Sequence, residues 1–349
     1  MSAAQRRQTI VLLALSACAV GAIVYLLLPG HGSTPGSLAF TSTRDGDAEV
    51  YLVRSDGTGF ENLTRNLAND GQPSWSPDGT RIAFTSTRDL NGEIYVMDAD
   101  GTAERRVTRS KLINDTAPVW SPDGRQLAFM CTNARPVTEI CAAGADGSDP
   151  RTVTGEGGAD NLFPVWSPDG KSLLFVSQRP GDVGYEIYSI RPDGTGEHRL
   201  TSGPAAEGEP ALSPDGSKLA LITRAASPGA AWRLDVMNAD GSGRHEVPAP
   251  PGRIDGPVWS PDGTRIAIEC LARSQADLYV VDPDGTHLRR LTQGPGNSIG
   301  PVWSPDGKSI AFERIKGGRD DIAVVGADGE GEQILTSGAG KNGGPVWRP

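Results

Sequence analysis

The string SPDG recurs six times, at 76–79, 121–124, 167–170, 213–216, 260–263 and 304–307. The residue before it is Trp75, Trp120, Trp166, Leu212, Trp259 and Trp303, and a last tryptophan, Trp347, repeats the position. Successive spacings along this series are 45, 46, 46, 47, 44 and 44 residues. A unit of that length cannot bury its apolar side chains alone. It has to stack on copies of itself, as the blades of a propeller do.

One copy, PVWSPDGRQLAFMC, shows the parts. Pro-Val-Trp makes a short strand, A. Ser-Pro-Asp-Gly is a tight turn in which proline presets φ, aspartate bonds nearby amides and glycine supplies a positive φ. Leu127-Ala128-Phe129 makes strand B, with Leu127 and Phe129 on one face. In the copy before it, Glu93 to Met97 makes strand C, DADGT turns the chain, and Arg105 to Thr108 makes strand D. The longer D-to-A linker suits a crossing from the outer edge of one sheet to the inner edge of the next.

Strand B and the Asp-Gly turn before strand D each occur seven times, the first strand B being Leu38-Ala39-Phe40. Strand A occurs seven times only if Pro345-Val346-Trp347 is counted. The first copy therefore borrows its inner strand from the end of the chain, which leaves no unpaired inner edge. The reading is an all-β, seven-bladed propeller over 38–349.

Thr9 to Leu28 is twenty residues without a charge, enough to cross ~30 Å of hydrocarbon as a helix. Arg6 and Arg7 precede it and no Lys or Arg follows before Arg44, which puts the propeller outside the cytoplasm, facing periplasm or exterior. Three readings of residues 1–28 stay open: an uncleaved transmembrane anchor, a lipoprotein signal with Cys18 as the lipidated residue, and a signal cut after Ala19. Residues 29–37 form a linker that holds the ring near the bilayer if the anchor stays.

The motif P-x-W-S-P-D-G-x-x-I-A-F, followed by S-x-R, E-I-Y-V-M-D-A-D-G-T and R-x-L-T, resembles the TolB-type, WD-like propeller repeat. The likeness spans 38–349. It implies a periplasmic propeller that binds partner proteins of the cell envelope. The sequence departs from that family in lacking an α/β domain ahead of the blades and in having seven repeats where six are expected. The resemblance therefore carries the repeat class rather than particular partners.

The A–B and C–D turns lie on one face of the ring and are monotonous. The B–C loops and D–A linkers lie on the other and vary, and variable loops on a rigid scaffold are where recognition sits. Asp70, Asp115, Asp160, Glu207, Glu209 and Asp255 come from the linkers near the axis, and Tyr185 and Trp232 stand beside them. These eight residues are the expected binding mouth, able to attract a cation or a basic patch. The B–C arginines, Arg44, Arg88, Arg135, Arg179, Arg224, Arg273 and Arg314, are expected to staple the loops by pairing with the acid that opens strand C. Both ends of the ring should leave from the turn face, so the mouth points away from the membrane.

No catalytic site is expected. His198, His245 and His287 map to strand D regions of different blades and cannot converge on a metal. No G-x-S-x-G elbow occurs. Asp98-Ala99-Asp100-Gly101 and Asp282-Pro283-Asp284-Gly285 mimic the start of a calcium loop, but five other copies lack the first ligand, so they read as hairpin turns. A net charge of −10 without a dense basic run argues against nucleic acid. Cys131 and Cys141 flank one B–C loop and would face each other about Pro136, as a disulfide allowed outside the cytoplasm. The favoured function is a monomeric, cofactor-free, membrane-tethered binding module for cell-envelope proteins. The alternative is a propeller lyase or hydrolase acting on polysaccharide or peptide through mouth carboxylates such as Asp115 and Asp160.

Overall fold

In a computed structural model the described residues are 36–110, 114–132, 137–155, 158–182, 184–203, 205–225, 230–338 and 340–349. The apolar segment with Cys18, and the linker up to residue 35, lie outside them. Among the described residues no helix is long and apolar enough to cross a membrane.

Seven four-stranded antiparallel sheets form the ring. In blade 2 the strands are A Asp70–Trp75, B Arg81–Ser86, C Glu93–Asp98 and D Arg105–Arg106. The other blades repeat this order, with a strand D of two or three residues throughout. Blade 1 takes strands B, C and D from Ser37–Ser42, Glu49–Arg54 and Glu61–Asn62, and strand A from Asn342–Trp347. Leu38 pairs with Trp347 and Ala39 with Val346, so the tail closes the ring as its repeat count requires.

The core lies between sheets. Ala39 and Val50 of blade 1 pack with Trp75, Ile82, Phe84 and Tyr95 of blade 2. Leu38, Phe40 and Trp347 of blade 1 pack with Ala311, Ile322 and Val324 of blade 7. Period-two alternation gives each strand two apolar faces here, because each sheet is covered on both sides.

The repeated tryptophan explains its own spacing. Each indole N–H donates to a strand A carbonyl of the preceding blade: Trp75 to Val346, Trp120 to Ser74, Trp166 to Val119, Trp259 to Ala211, Trp303 to Val258 and Trp347 to Val302, at 2.9–3.2 Å. Leu212 of blade 5 has no side-chain N–H to offer, so the blade 4–5 junction lacks this tie.

A second device repeats on strand A. The residue before each proline has a left-handed backbone: Gln72, Ala117, Phe163, Glu209, Gly256, Gly300 and Gly344, with φ between 52° and 62°. Each sits in a bulge where the A–B register shifts. The bulge takes this residue out of the A–B ladder and leaves its amide free to bond the preceding blade, as Ala117 N–H does to Gln72 and Gly256 N–H to Glu209.

Candidate functional site: the channel mouth

Gly36 bonds Ser55 of a C–D turn, and Arg348 packs against Gly79 of an A–B turn. Both described ends of the propeller therefore sit on the turn face, opposite the B–C loops.

The expected mouth residues separate into three groups. Asp70, Asp115 and Glu207 occupy one position, three residues before the strand A proline, and all are buried. Asp70 accepts hydrogen bonds from Asn66 and, at 2.9 Å, from Arg88. Glu207 pairs with Arg244. Asp115 accepts from Ser110 Oγ at 2.8 Å, and burial pushes its carboxyl up to about 6. These acids are wedged between blades. Asp160 lies one residue earlier in the repeat and clasps a neighbour, accepting from Thr138 N at 3.0 Å. Asn69, Asn114 and Asn297 make the same clasp to Ala48, Gly92 and Ala276.

The third group does reach the channel. Glu209 has the left-handed position of blade 5 and accepts the Gly256 N–H of blade 6. Asp255 adjoins Gly256 and pairs with Arg253 at 2.7 Å. Two further carboxylates join them that the repeat pattern did not single out. Glu269 accepts the Gly300 N–H at 3.3 Å, and Glu313 supports the Gly344 amide. Both occupy the strand B position held by Thr41 and Thr85 in blades 1 and 2. Their signal in the sequence was a polar residue interrupting the apolar run of strand B, in ECL at 269–271 and ERI at 313–315.

Blades 5, 6, 7 and 1 are thus linked at the axis by three carboxylates bonded to three left-handed glycines. Burial pushes Glu209 up to about 7, Glu269 to about 8 and Glu313 to about 7. The Asp255 charge adds to the rise at Glu209 and Glu269, and burial raises Asp255 as well. Glu209, Glu269 and Glu313 therefore hold protons near neutrality and can donate or accept hydrogen bonds there. Among the described residues no group of three or more His, Cys, Asp or Glu is placed to hold a metal ion.

Tyr185 and Trp232 are half-buried at the upper ends of blades 4 and 5 and pack onto the adjoining cores. The Tyr185 carbonyl accepts from Glu207 N at 2.8 Å. Trp232 has the guanidinium carbons of Arg224 and Arg253 at 5.2 and 5.4 Å from its ring centre.

The arginine staples differ from expectation. Glu93 bonds Thr108 at 2.5 Å and Arg106 at 2.7 Å, both from the end of strand D. Glu186 bonds Thr201 and Arg199 likewise. The acid opening strand C is buried beside strand D, whose R-x-L-T tail delivers both partners. The loop arginines instead reach the turn before strand D: Arg88 to Glu104, Arg179 to Glu197 and Arg314 to Glu332, while Arg44 stacks on Phe60 at 3.7 Å. Arg135 lies outside the described residues.

A disulfide joins Cys131 and Cys141, with Cα atoms 5.9 Å apart. The hairpin register pairs Cys131 with Glu139 and Thr132 with Thr138, so the two cysteines bridge diagonally rather than facing each other about Pro136.

This is a closed seven-bladed propeller with an acid-lined channel and irregular loops on one face. A family model described as the TolB beta propeller domain matches residues 27–134, 109–244 and 233–349, and the chain belongs to that family. A TolB homolog of Chlorobium luteolum is 44% identical over 54 residues, 16% of this chain and 12% of its own length. The chain thus spans only a small part of that relative. TolB of Acinetobacter baumannii is similar in fold, with a TM-score of 0.59 at 21% identity over 90% of this chain and 67% of that one. An oligogalacturonate lyase solved with manganese is similar as well, with a TM-score of 0.66 at 15% identity over 86% of this chain and 85% of that one.

Proposed function

We propose that the chain is a membrane-tethered, extracytoplasmic binding module that docks proteins of the cell envelope at the channel mouth. The observation that carries this reading is the set of Glu209, Asp255 and Glu269 at the axis, on the face that bears the variable loops and lies opposite both described ends. Partly protonated carboxylates in a walled channel supply hydrogen bonds and local negative potential to an inserted basic or amide-bearing group. Membership of the TolB propeller family supports envelope proteins as the partners. The test is affinity capture from envelope extracts with the chain and with Glu209→Gln/Asp255→Asn/Glu269→Gln. A specific protein band that disappears with the triple variant supports the reading. Identical bands from both chains refute it.

A second reading is a polysaccharide-cleaving propeller. It is favoured by the channel carboxylates Glu209 and Glu269, whose proton affinities, raised to about 7 and about 8, suit proton transfer near neutrality, and by the likeness in fold to an oligogalacturonate lyase. New unsaturated ends on polygalacturonate, followed by ultraviolet absorbance, would establish it.

A further inference from the structure

The loop arginines are neutralised in some blades and freed in others, and the sequence shows why. The residue four places after the turn aspartate is Glu104 in blade 2, Glu197 in blade 4 and Glu332 in blade 7, and each holds an arginine. In blade 5 this position is Arg244, which itself bonds Glu207, Asp235 and Thr223. The acids that a loop arginine would serve are already taken, and Arg224 is left without a carboxylate. In blade 6 the position is Leu288, so Arg273 has none either. In blade 7 Arg314 takes Glu332 from within strand B, and Lys316 projects beyond it at the hairpin tip.

Arg224, Arg273 and Lys316 are exposed, and none has a hydrogen bond or ion pair among the described residues. They place one cation per blade at the B–C hairpin ends of blades 5, 6 and 7. Apolar surface accompanies them. Trp232 lies under Arg224 and Arg253, and Leu271, at the upper end of blade 6, is 37% exposed. This basic, partly apolar arc stands above the carboxylates of the inner wall on the same three blades.

We propose that this rim docks an acidic, partly apolar peptide segment of a partner protein. Unneutralised guanidinium groups bind carboxylates in bidentate fashion, and Trp232 and Leu271 offer anchors for aliphatic side chains, which a purely polyanionic glycan or phosphate polymer lacks. The proposal rests on the binding-module reading and gives the partner its chemistry: an acidic stretch for the rim, beside whatever enters the channel.

The test uses the full chain and a synthetic peptide of alternating glutamate and leucine, with a lysine–leucine peptide, polygalacturonate, polyphosphate and anionic vesicles as comparators, all by titration calorimetry. The acidic peptide should bind, weaken with salt, and lose at least about tenfold in affinity in Arg224→Glu/Arg273→Glu/Lys316→Glu. The turn-face reversal Lys171→Glu/Lys308→Glu should leave it unchanged. The single Arg224→Gln variant keeps the test valid if the triple variant fails to fold, and should weaken binding on its own. Absence of peptide binding, binding untouched by rim reversal, or preferential binding of polygalacturonate, polyphosphate or vesicles overturns the proposal. Should rim reversal leave envelope-protein capture intact while the channel triple variant abolishes it, the rim proposal falls and the binding-module reading stands.

Discussion

Trp347 donates its indole N–H to the carbonyl of Val302 at 3.1 Å, and so ties the last strand of the chain to the innermost strand of blade 7. Trp347 is also buried against Leu38 and Phe40. Trp347→Ala removes both the bond and the packing, and should cost about 3–5 kcal/mol. Urea unfolding followed by circular dichroism measures it. A loss below 1 kcal/mol would mean that the closing strand contributes little.

Arg244→Ala leaves the buried carboxylates of Glu207 and Asp235 without their cation. Breaking a buried pair from one side costs about 3–5 kcal/mol. Adding Glu207→Gln and Asp235→Asn to the same chain should recover part of that loss, because the stranded charges go with the arginine. The same urea series compares the two variants.

The channel carboxylates make stability fall as pH rises. Glu269 is held up to about 8 in the fold, against an ordinary 4.5. The fold therefore binds its proton more tightly than the unfolded chain does. Its contribution is complete below the ordinary value and is lost as pH climbs through the folded one. Glu209 and Glu313, at about 7, act in the same direction. Thermal midpoints should decline between pH 5 and 8.5, and Glu269→Gln should flatten the decline, retaining ~1–3 kcal/mol at the alkaline end.

Reduction of the Cys131–Cys141 bridge releases a loop with a sequence separation of 10. Chain-entropy reasoning gives a loss of about 2–3 kcal/mol. Mass spectrometry after alkylation, with and without reductant, counts the thiols. Thermal melts of Cys131→Ser/Cys141→Ser measure the stability.

Much of the fold was legible because the repeat is written in residues with backbone consequences. Ser-Pro-Asp-Gly fixes a turn wherever it occurs, and Pro345-Val346-Trp347 repeats the strand A motif that the first copy, opening on strand B, leaves out. The channel was less legible. The linker acids look alike in sequence, but a bulge rotates adjacent residues to different sides. Asp160 thus becomes a clasp, Glu207 a buried ion-pair partner, and Glu209 a channel residue. Glu269 and Glu313 are hidden in the sequence because strand B reads as apolar core up to the residue before each of them. The arginine partners are illegible for a related reason: strand D brings Arg106 and Thr108 to Glu93, ahead of the loop arginine that is nearer in sequence.

The pairing of Leu38 with Trp347 also has a meaning for how the molecule comes into being. A chain leaving the ribosome meets every strand of blades 2 to 7 in order, each sheet finished soon after its first strand emerges. Blade 1 alone must wait until blades 2 to 7 have been made, with one edge bare, in reach of chaperones or of a neighbouring nascent chain.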